Sequence, residues 1–291
     1  MKLVENEFIK FMEKFDANPF RIILEDGEHM IGDGEPVFTV KINKVPKMTD
    51  MLTSTSITLG EAYMNGDIEI EGDLYTALNM FLGQMGKFST DKKKLKNIIF
   101  TSKSKANQKK EVSSHYDIGN DFYKMWLDET LSYSCGYFKD DNDTLYQAQC
   151  NKVDRILEKL NLSENMTLCD IGCGWGFLLI EAAKKYKIKG VGITLSKEQK
   201  AKFQQRIKDE GLSERLEVKL LDYRDLPKLN KKFDRVVSVG MIEHVGRGNY
   251  EEFMQCVKSV LKPGGIFVLH FISALKEYPG DAWVKKYIFP G

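Results

Sequence analysis

The stretch LCDIGCGWGF, residues 168–177, sets Gly172, Gly174 and Gly176 at alternate positions behind the carboxylate of Asp170 and a short apolar run. Glycines in a strand-to-helix turn let backbone approach a ligand closely, so a phosphate, a dinucleotide or a nucleoside are the candidate occupants. A dinucleotide fingerprint needs a small residue where this chain carries Phe177, and an acid further on where it reads KGVGIT. A Walker-type phosphate loop needs a Gly-Lys-Ser/Thr that does not follow. What remains is the pattern acid-x-G-x-G-x-G. The competing account is a tight turn whose glycines serve packing alone.

The elements around this turn repeat regularly. MTLCDI reads as a buried strand, FLLIEAAKKY as a helix and IKGVGITL as a second strand. Ser196 and Gln199 have capping-box spacing before the helix KEQKAKFQQRIKDE, which Gly211 closes. LEVKLLD and FDRVVSVGM are further strands; NYEEFMQCVKSVL is a helix stopped by KPGG, and IFVLHFI is a fifth strand. Alternating strands and helices predict a parallel sheet covered on both faces, with ligands beyond the carboxyl ends of its strands. The glycine turn lies at that edge. Upstream, residues 1–90 read as a small α+β domain. A helix carries Val4, Phe8, Phe11, Met12 and Phe15 at helical spacing, and strand-like FRIIL and VFTVKI follow it. Gly66 and Gly72 then punctuate a short strand before another helix.

Bulk properties narrow the classes. With 291 residues the chain is long enough for two domains, and a net charge of +1 gives no global field toward nucleic acid. The N-terminus carries acids inside its apolar pattern and no cleavage-like site, unlike a secretory signal. Five scattered cysteines, an odd number, suit a reducing compartment, and Cys169 and Cys173 lack a second ligand pair for zinc. A cytoplasmic protein without a bound metal is expected. Residues 87–110 hold nine lysines against one acid, Asp91. They form either a solvated linker, assigned to 91–112, or a patch for anionic lipid headgroups, where each lysine contributes roughly 1 kcal/mol.

The acid-x-G-x-G-x-G turn is the first motif of methyltransferases that use S-adenosylmethionine. In such a turn Gly172 and Gly174 admit the amino-acid half of the cofactor, and Asp170 holds nearby amides or the ligand's ammonium. A longer series is more specific. SSHYDIGNDFYKMWLDETLSYSCGYF (113–138) is followed in order by CDIGCGWGFLLIEAAKKY, GVGITLSKEQ, LLDYRDL, VGMIEHVG and VLHFI. From about residue 110 onward the chain resembles the cyclopropane-fatty-acyl-phospholipid synthase family, and LGEAYMNGD extends the likeness loosely into the N-terminal domain.

The resemblance implies an α/β fold: a Rossmann-like class I methyltransferase domain over 113–291, with a parallel sheet, behind the small α+β domain. It implies two small molecules, S-adenosylmethionine and a bicarbonate ion. Tyr133 and Ser134 would contact the cofactor, Thr194, Leu195 and Gln199 would lie by its ribose, Tyr223 would stack on adenine, and Asp222 would accept from the adenine amino group. Cys135, Glu243 and His270, with the backbone at Ile272, would form the bicarbonate pocket, Cys135 acting through its backbone more than its thiol. Tyr116, Tyr133, Tyr137, Phe138 and Trp175 would wall a carbocation. His115 and Tyr116 would either close over the cofactor or cap a helix, and His244 would brace the loop.

The implied reaction transfers a methylene from S-adenosylmethionine to the cis double bond of an unsaturated acyl chain in a membrane phospholipid. Two alternatives stay open: methylation of another lipid or small acceptor without ring closure, and a binding module without turnover. The implied partners are lipid and a second copy of the chain. The setting is the inner face of the cell membrane, contacted through the lysine segment and the apolar face of the first helix. Relatives of this family continue beyond VKKYIFPG, so the methyltransferase domain is expected to be C-terminally incomplete, leaving the fifth strand as an unpaired edge.

Overall fold

The computed structural model describes residues 2–91, 117–275 and 281–288. The chain divides into two compact units.

The first unit begins with α1 (Lys2–Met12) and the strands β1 (Phe20–Leu24), β2 (Gly27–Ile31) and β3 (Phe38–Ile42). Helices α2 (Met48–Thr53) and α3 (Thr55–Met64), strand β4 (Ile68–Gly72) and helix α4 (Leu74–Gly83) follow. The sheet order is β2-β1-β3-β4, parallel only between β1 and β3. β2 lacks a strong sequence signal because alternate residues of GEHMI stay partly or fully exposed. Phe8, Phe11, Met12 and Phe15 are buried in this unit's core together with Phe20 and Phe38. That corrects one expectation: the apolar face of α1 is consumed by the core and cannot meet lipid. Exposed apolar side chains occur instead on α4, where Leu74, Leu78 and Leu82 recur every fourth residue.

A second difference concerns the C-terminal region. The short helix of residues Ala282–Tyr287 groups with the first unit rather than with the second. Its Trp283 lies over Gly60, where an added Cβ would come within 2.5 Å of the indole. Its Tyr287 hydroxyl donates to Glu61 at 2.7 Å, and Lys286 pairs with the same carboxylate. Nothing local in the sequence announces these contacts, because every partner lies more than 200 residues away.

The second unit opens with α5 (Asn120–Lys124) and α6 (Leu145–Leu160). Then strands β5 (Thr167–Ile171), β6 (Lys189–Thr194), β7 (Leu216–Leu220), β8 (Phe233–Val239) and β9 (Leu261–His270) alternate with α7 (Phe177–Tyr186), α8 (Lys197–Asp209) and α9 (Tyr250–Val260). The sheet is parallel throughout, in the order β7-β6-β5-β8-β9. Its two faces bury separate apolar clusters, one centred on Leu157, Leu179 and Phe203, the other on Val236, Phe253 and Val257. β9 pairs with β8 alone among the described residues. The α6 helix has a complete capping box, Thr144 with Gln147. The spacing Val153, Ile156, Leu157, Leu160 then buries one side of it. The element positions two side chains that matter below.

Candidate functional site

Strands β5, β6 and β8 run parallel, so their carboxyl ends open at one edge, and a cavity lies there. Tyr133, Ser134, Asp170, Gly172, Gly174, Gly176, Thr194, Leu195, Gln199, Asp222 and Tyr223 all line it. Residues spread over 91 positions of sequence thus converge because they lie at or just beyond the carboxyl ends of strands, or in the loop before α6.

The three glycines have different reasons. All have positive φ, 81°, 54° and 85° in order, a region costly for other residues. A Cβ on Gly176 would sit 2.0 Å from the ring of buried Phe203, and one on Gly172 would press on the flexible Met241 side chain at 2.8 Å. Gly174 has no atom within 4 Å of that position. Packing therefore dictates Gly176, while the open side of Gly174 leaves room in the cavity. The Gly172 and Cys173 amides both donate to Ile193 O at 3.0 Å, which pins the turn to β6.

Asp170 is 3 % exposed, and burial pushes its carboxyl up to about 7. Ser196 caps α8 by accepting from the Gln199 amide at 3.1 Å. The reciprocal half of the capping box does not form. Gln199 Oε1 accepts instead from Thr194 Oγ1 at 2.7 Å, and Thr194 Oγ1 accepts from the Ser196 amide. Asp222 receives Arg224 through Nε at 2.8 Å and an Nη at 2.7 Å, a two-point pairing. The Tyr223 ring packs edge-on against Phe253 at 5.3 Å, with the Arg224 guanidinium 5.2 Å from its centre.

The three residues assigned to a bicarbonate pocket are not among those lining this cavity. Cys135 is exposed. Glu243 lies in the turn Ile242–His244 after β8, and its Oε1 accepts from the Ile272 amide at 2.7 Å. His270 ends β9, and its carbonyl accepts from the Gly240 amide at 3.0 Å. Glu243 Oε2 and His270 Nδ1 are both buried without a hydrogen-bond partner among the described residues. Burial chiefly, and then the nearby Lys152, lowers the imidazole pKa, against the opposing pull of Glu243.

Two residues of α6 escape a motif-based reading. Gln149 Nε2 donates to Ser134 O at 2.9 Å, and Lys152 Nζ donates to Ser134 Oγ at 2.7 Å. Lys152 is 5 % exposed, and desolvation lowers its ammonium pKa to about 8. The signal available was the capping box plus a lysine on the apolar side of the helix. Tyr123 was also unmarked; its ring sits 5.0 Å from Trp175 and 5.8 Å from Tyr133. The Trp175 indole donates to Asn120 Oδ1 at 2.6 Å, which fixes this aromatic wall. The Arg155 guanidinium lies over one face of the Tyr137 ring, 4.6 Å from its centre. His115, Tyr116 and the lysine segment beyond residue 91 lie outside the described residues.

Comparison with known proteins is consistent across sequence and structure. A family model described as mycolic acid cyclopropane synthetase matches residues 103–291, and a domain of unknown function matches residues 8–93. A probable fatty acid methyltransferase of Pseudomonas putida is 38% identical over 280 residues, covering 94% of this chain and 70% of the relative. The cyclopropane-fatty-acyl-phospholipid synthase of Escherichia coli K12 is 41% identical over 246 residues, covering 82% of this chain but 62% of that enzyme. A crystal structure of mycolic acid cyclopropane synthase CmaA1, complexed with SAH and CTAB, superimposes with a TM-score of 0.53 at 38% identity, over 55% of each chain. With a parallel five-stranded α/β sheet, a glycine turn at its carboxyl edge and these matches, the chain has a class I methyltransferase fold and belongs to the mycolic acid cyclopropane synthetase family.

Proposed function

We propose that this chain transfers a methylene group from S-adenosylmethionine to the cis double bond of unsaturated acyl chains in membrane phospholipids. The observation that carries the reading is the convergence of eleven residues from four segments on one cavity, together with two buried polar atoms, on Glu243 and His270, that have no hydrogen-bond partner among the described residues. S-adenosylmethionine supplies an electrophilic sulfonium methyl. Asp170 lines the cavity, where its carboxylate would take the ligand's ammonium, and the open flank of Gly174 would admit the ligand against backbone. Tyr133, packed against Tyr123 and Trp126, presents an aromatic wall. Such a wall stabilises a carbocation without capturing it.

Ring closure makes one more demand. The alkene π pair forms a C–C bond to the methyl as the C–S bond breaks, and the second C–C bond forms only when that methyl gives up a proton. Bicarbonate supplies a base of suitable strength for this. Glu243 Oε2 is an acceptor and His270 Nδ1, in the tautomer that bears its hydrogen there, is a donor; both are buried and have no hydrogen-bond partner among the described residues. They fit a small group that carries one O–H and further acceptor oxygens, which is the bonding pattern of bicarbonate. The Ile272 amide holds Glu243 in place.

Lipid mass spectrometry after incubation with S-adenosylmethionine and unsaturated phospholipid vesicles tests the reading. A gain of CH2 with loss of the alkene is the expected result. A gain of CH2 with the alkene kept would favour simple methylation, the reading that the Pseudomonas putida relative's name supports. Bound cofactor with no product would leave a binding module.

Contact with the cytoplasmic face of the membrane is part of the proposal. Among the described residues no helix is long and apolar enough to cross a bilayer, so the acyl chain must be reached from the surface. Leu78 and Leu82 on α4, 49 % and 50 % exposed, are among the exposed apolar side chains and offer one such contact. Replacing both by Asp should reduce sedimentation with anionic vesicles by several-fold. Undiminished sedimentation of that variant would remove α4 from the contact.

A further inference from the structure

Lys152 is a buried cation without an anionic partner. It is 5 % exposed, forms no ion pair among the described residues, and makes one hydrogen bond there, to Ser134 Oγ. An ammonium carries three donors, so the bond to Ser134 leaves capacity over. A charge held in this state is expensive and is retained where something compensates it.

Lys152 lines the cavity together with Ser134 and Gly240, at the side from which β8 leads to Glu243. Gly240 connects the groups: its amide donates to His270 O, and a Cβ on it would lie 3.7 Å from Ser134 Cβ. Ser134 and His270 therefore flank the same residue, and Lys152 is bonded to one of them and acts electrostatically on the other. Glu243 acts on the same imidazole and keeps a buried oxygen unpartnered. An oxyanion placed against Glu243 and His270 meets a carboxylate that repels it and an imidazole that burial keeps neutral. Lys159, the other cation acting on His270, is exposed and screened by water. Asp128 and Cys135 face Lys152 but form no ion pair with it.

We infer that Lys152 supplies the positive charge that holds bicarbonate beside Glu243 and His270. The inference rests on the functional reading above. It also explains why a lysine sits where the apolar side of α6 would otherwise take a methionine or leucine.

The test is binding of [13C]bicarbonate to the full chain, followed by NMR line broadening, with cofactor affinity measured in parallel by calorimetry. Lys152→Met should weaken bicarbonate binding roughly tenfold or more, the loss of one charge-assisted hydrogen bond, and Lys152→Arg should restore most of it. Ser134→Ala should weaken the cofactor and leave bicarbonate binding within about threefold, a change under 1 kcal/mol. Wild-type-like bicarbonate binding by Lys152→Met would overturn the inference. So would an equal loss in Ser134→Ala, which would mean that Lys152 acts only by holding Ser134. Wild-type protein that makes cyclopropane product but binds no bicarbonate sinks this inference alone, whereas absence of product with bicarbonate bound sinks the functional reading alone.

Discussion

Gly176→Ala should destabilise the second unit by roughly 2–5 kcal/mol, combining a left-handed backbone penalty with overpacking of a filled core. Its φ is 85°, and the added methyl would lie 2.0 Å from a ring carbon of Phe203, which is fully buried. The ring has nowhere to retreat, since it belongs to the cluster that covers one face of the sheet. Against a total stability of about 5–15 kcal/mol, a loss of this size removes much of the fold. Gly174→Ala provides the control. Its φ of 54° imposes the backbone cost alone, and no atom lies within 4 Å of the new methyl. That variant should lose only about 1–2 kcal/mol yet bind the cofactor less well, because the methyl projects into open space beside the cavity. Urea denaturation paired with calorimetric cofactor titration separates the two. Equal destabilisation by both would show that the turn, not the Phe203 contact, sets the requirement.

Asp170→Asn should stabilise the cofactor-free protein above neutral pH while weakening cofactor binding. Burial raises the native carboxyl from 3.8 to about 7. Between those values the folded protein keeps a proton that the unfolded chain has released. Stability is therefore fully present below the unfolded value and is lost as pH rises through 7, where the carboxylate must be charged in the interior. The difference amounts to at most about 4 kcal/mol. The variant, which has no charge to bury, should match the wild type near pH 4 and exceed it by up to that amount at pH 8. A cationic ligand group reverses the cost, so S-adenosylmethionine should stabilise the wild type more at pH 8 than at pH 5. Denaturation curves at both pH values, with and without cofactor, check this. A variant less stable than wild type at pH 8 would mean that Asp170 is already satisfied by neighbouring amides.

Much of the second unit could be read directly from its sequence. Apolar runs bounded by glycine and polar turns are local signals, and they placed β5 to β8 and α7 to α9 to within a residue or two. The ordered motifs named eleven residues that the structure brings to one cavity, most of them at or just beyond the end of a strand, at a spacing that short loops preserve. The capping-box spacing at Ser196 was read correctly as a helix start, but the Gln199 side chain turned to Thr194 because that hydroxyl is delivered by the end of β6. The four-residue rhythm of α1 was equally clear, yet rhythm alone does not say whether an apolar face meets a core or a membrane.

Sequence by itself determined the alternation of strands and helices, the glycine turn and the family, since these depend on backbone preferences and on residues close together in the chain. Only the tertiary structure decided which glycine answers to packing and which to open space. Phe203 lies 27 residues beyond Gly176, and the two meet only because α8 folds back across the β5 turn. It likewise decided that Lys152 is a buried charge on the same cavity as Gly240, although the two lie 88 residues apart. The physical reason is the same in each case: burial and desolvation are set by what packs against a group, and those neighbours come from distant parts of the chain.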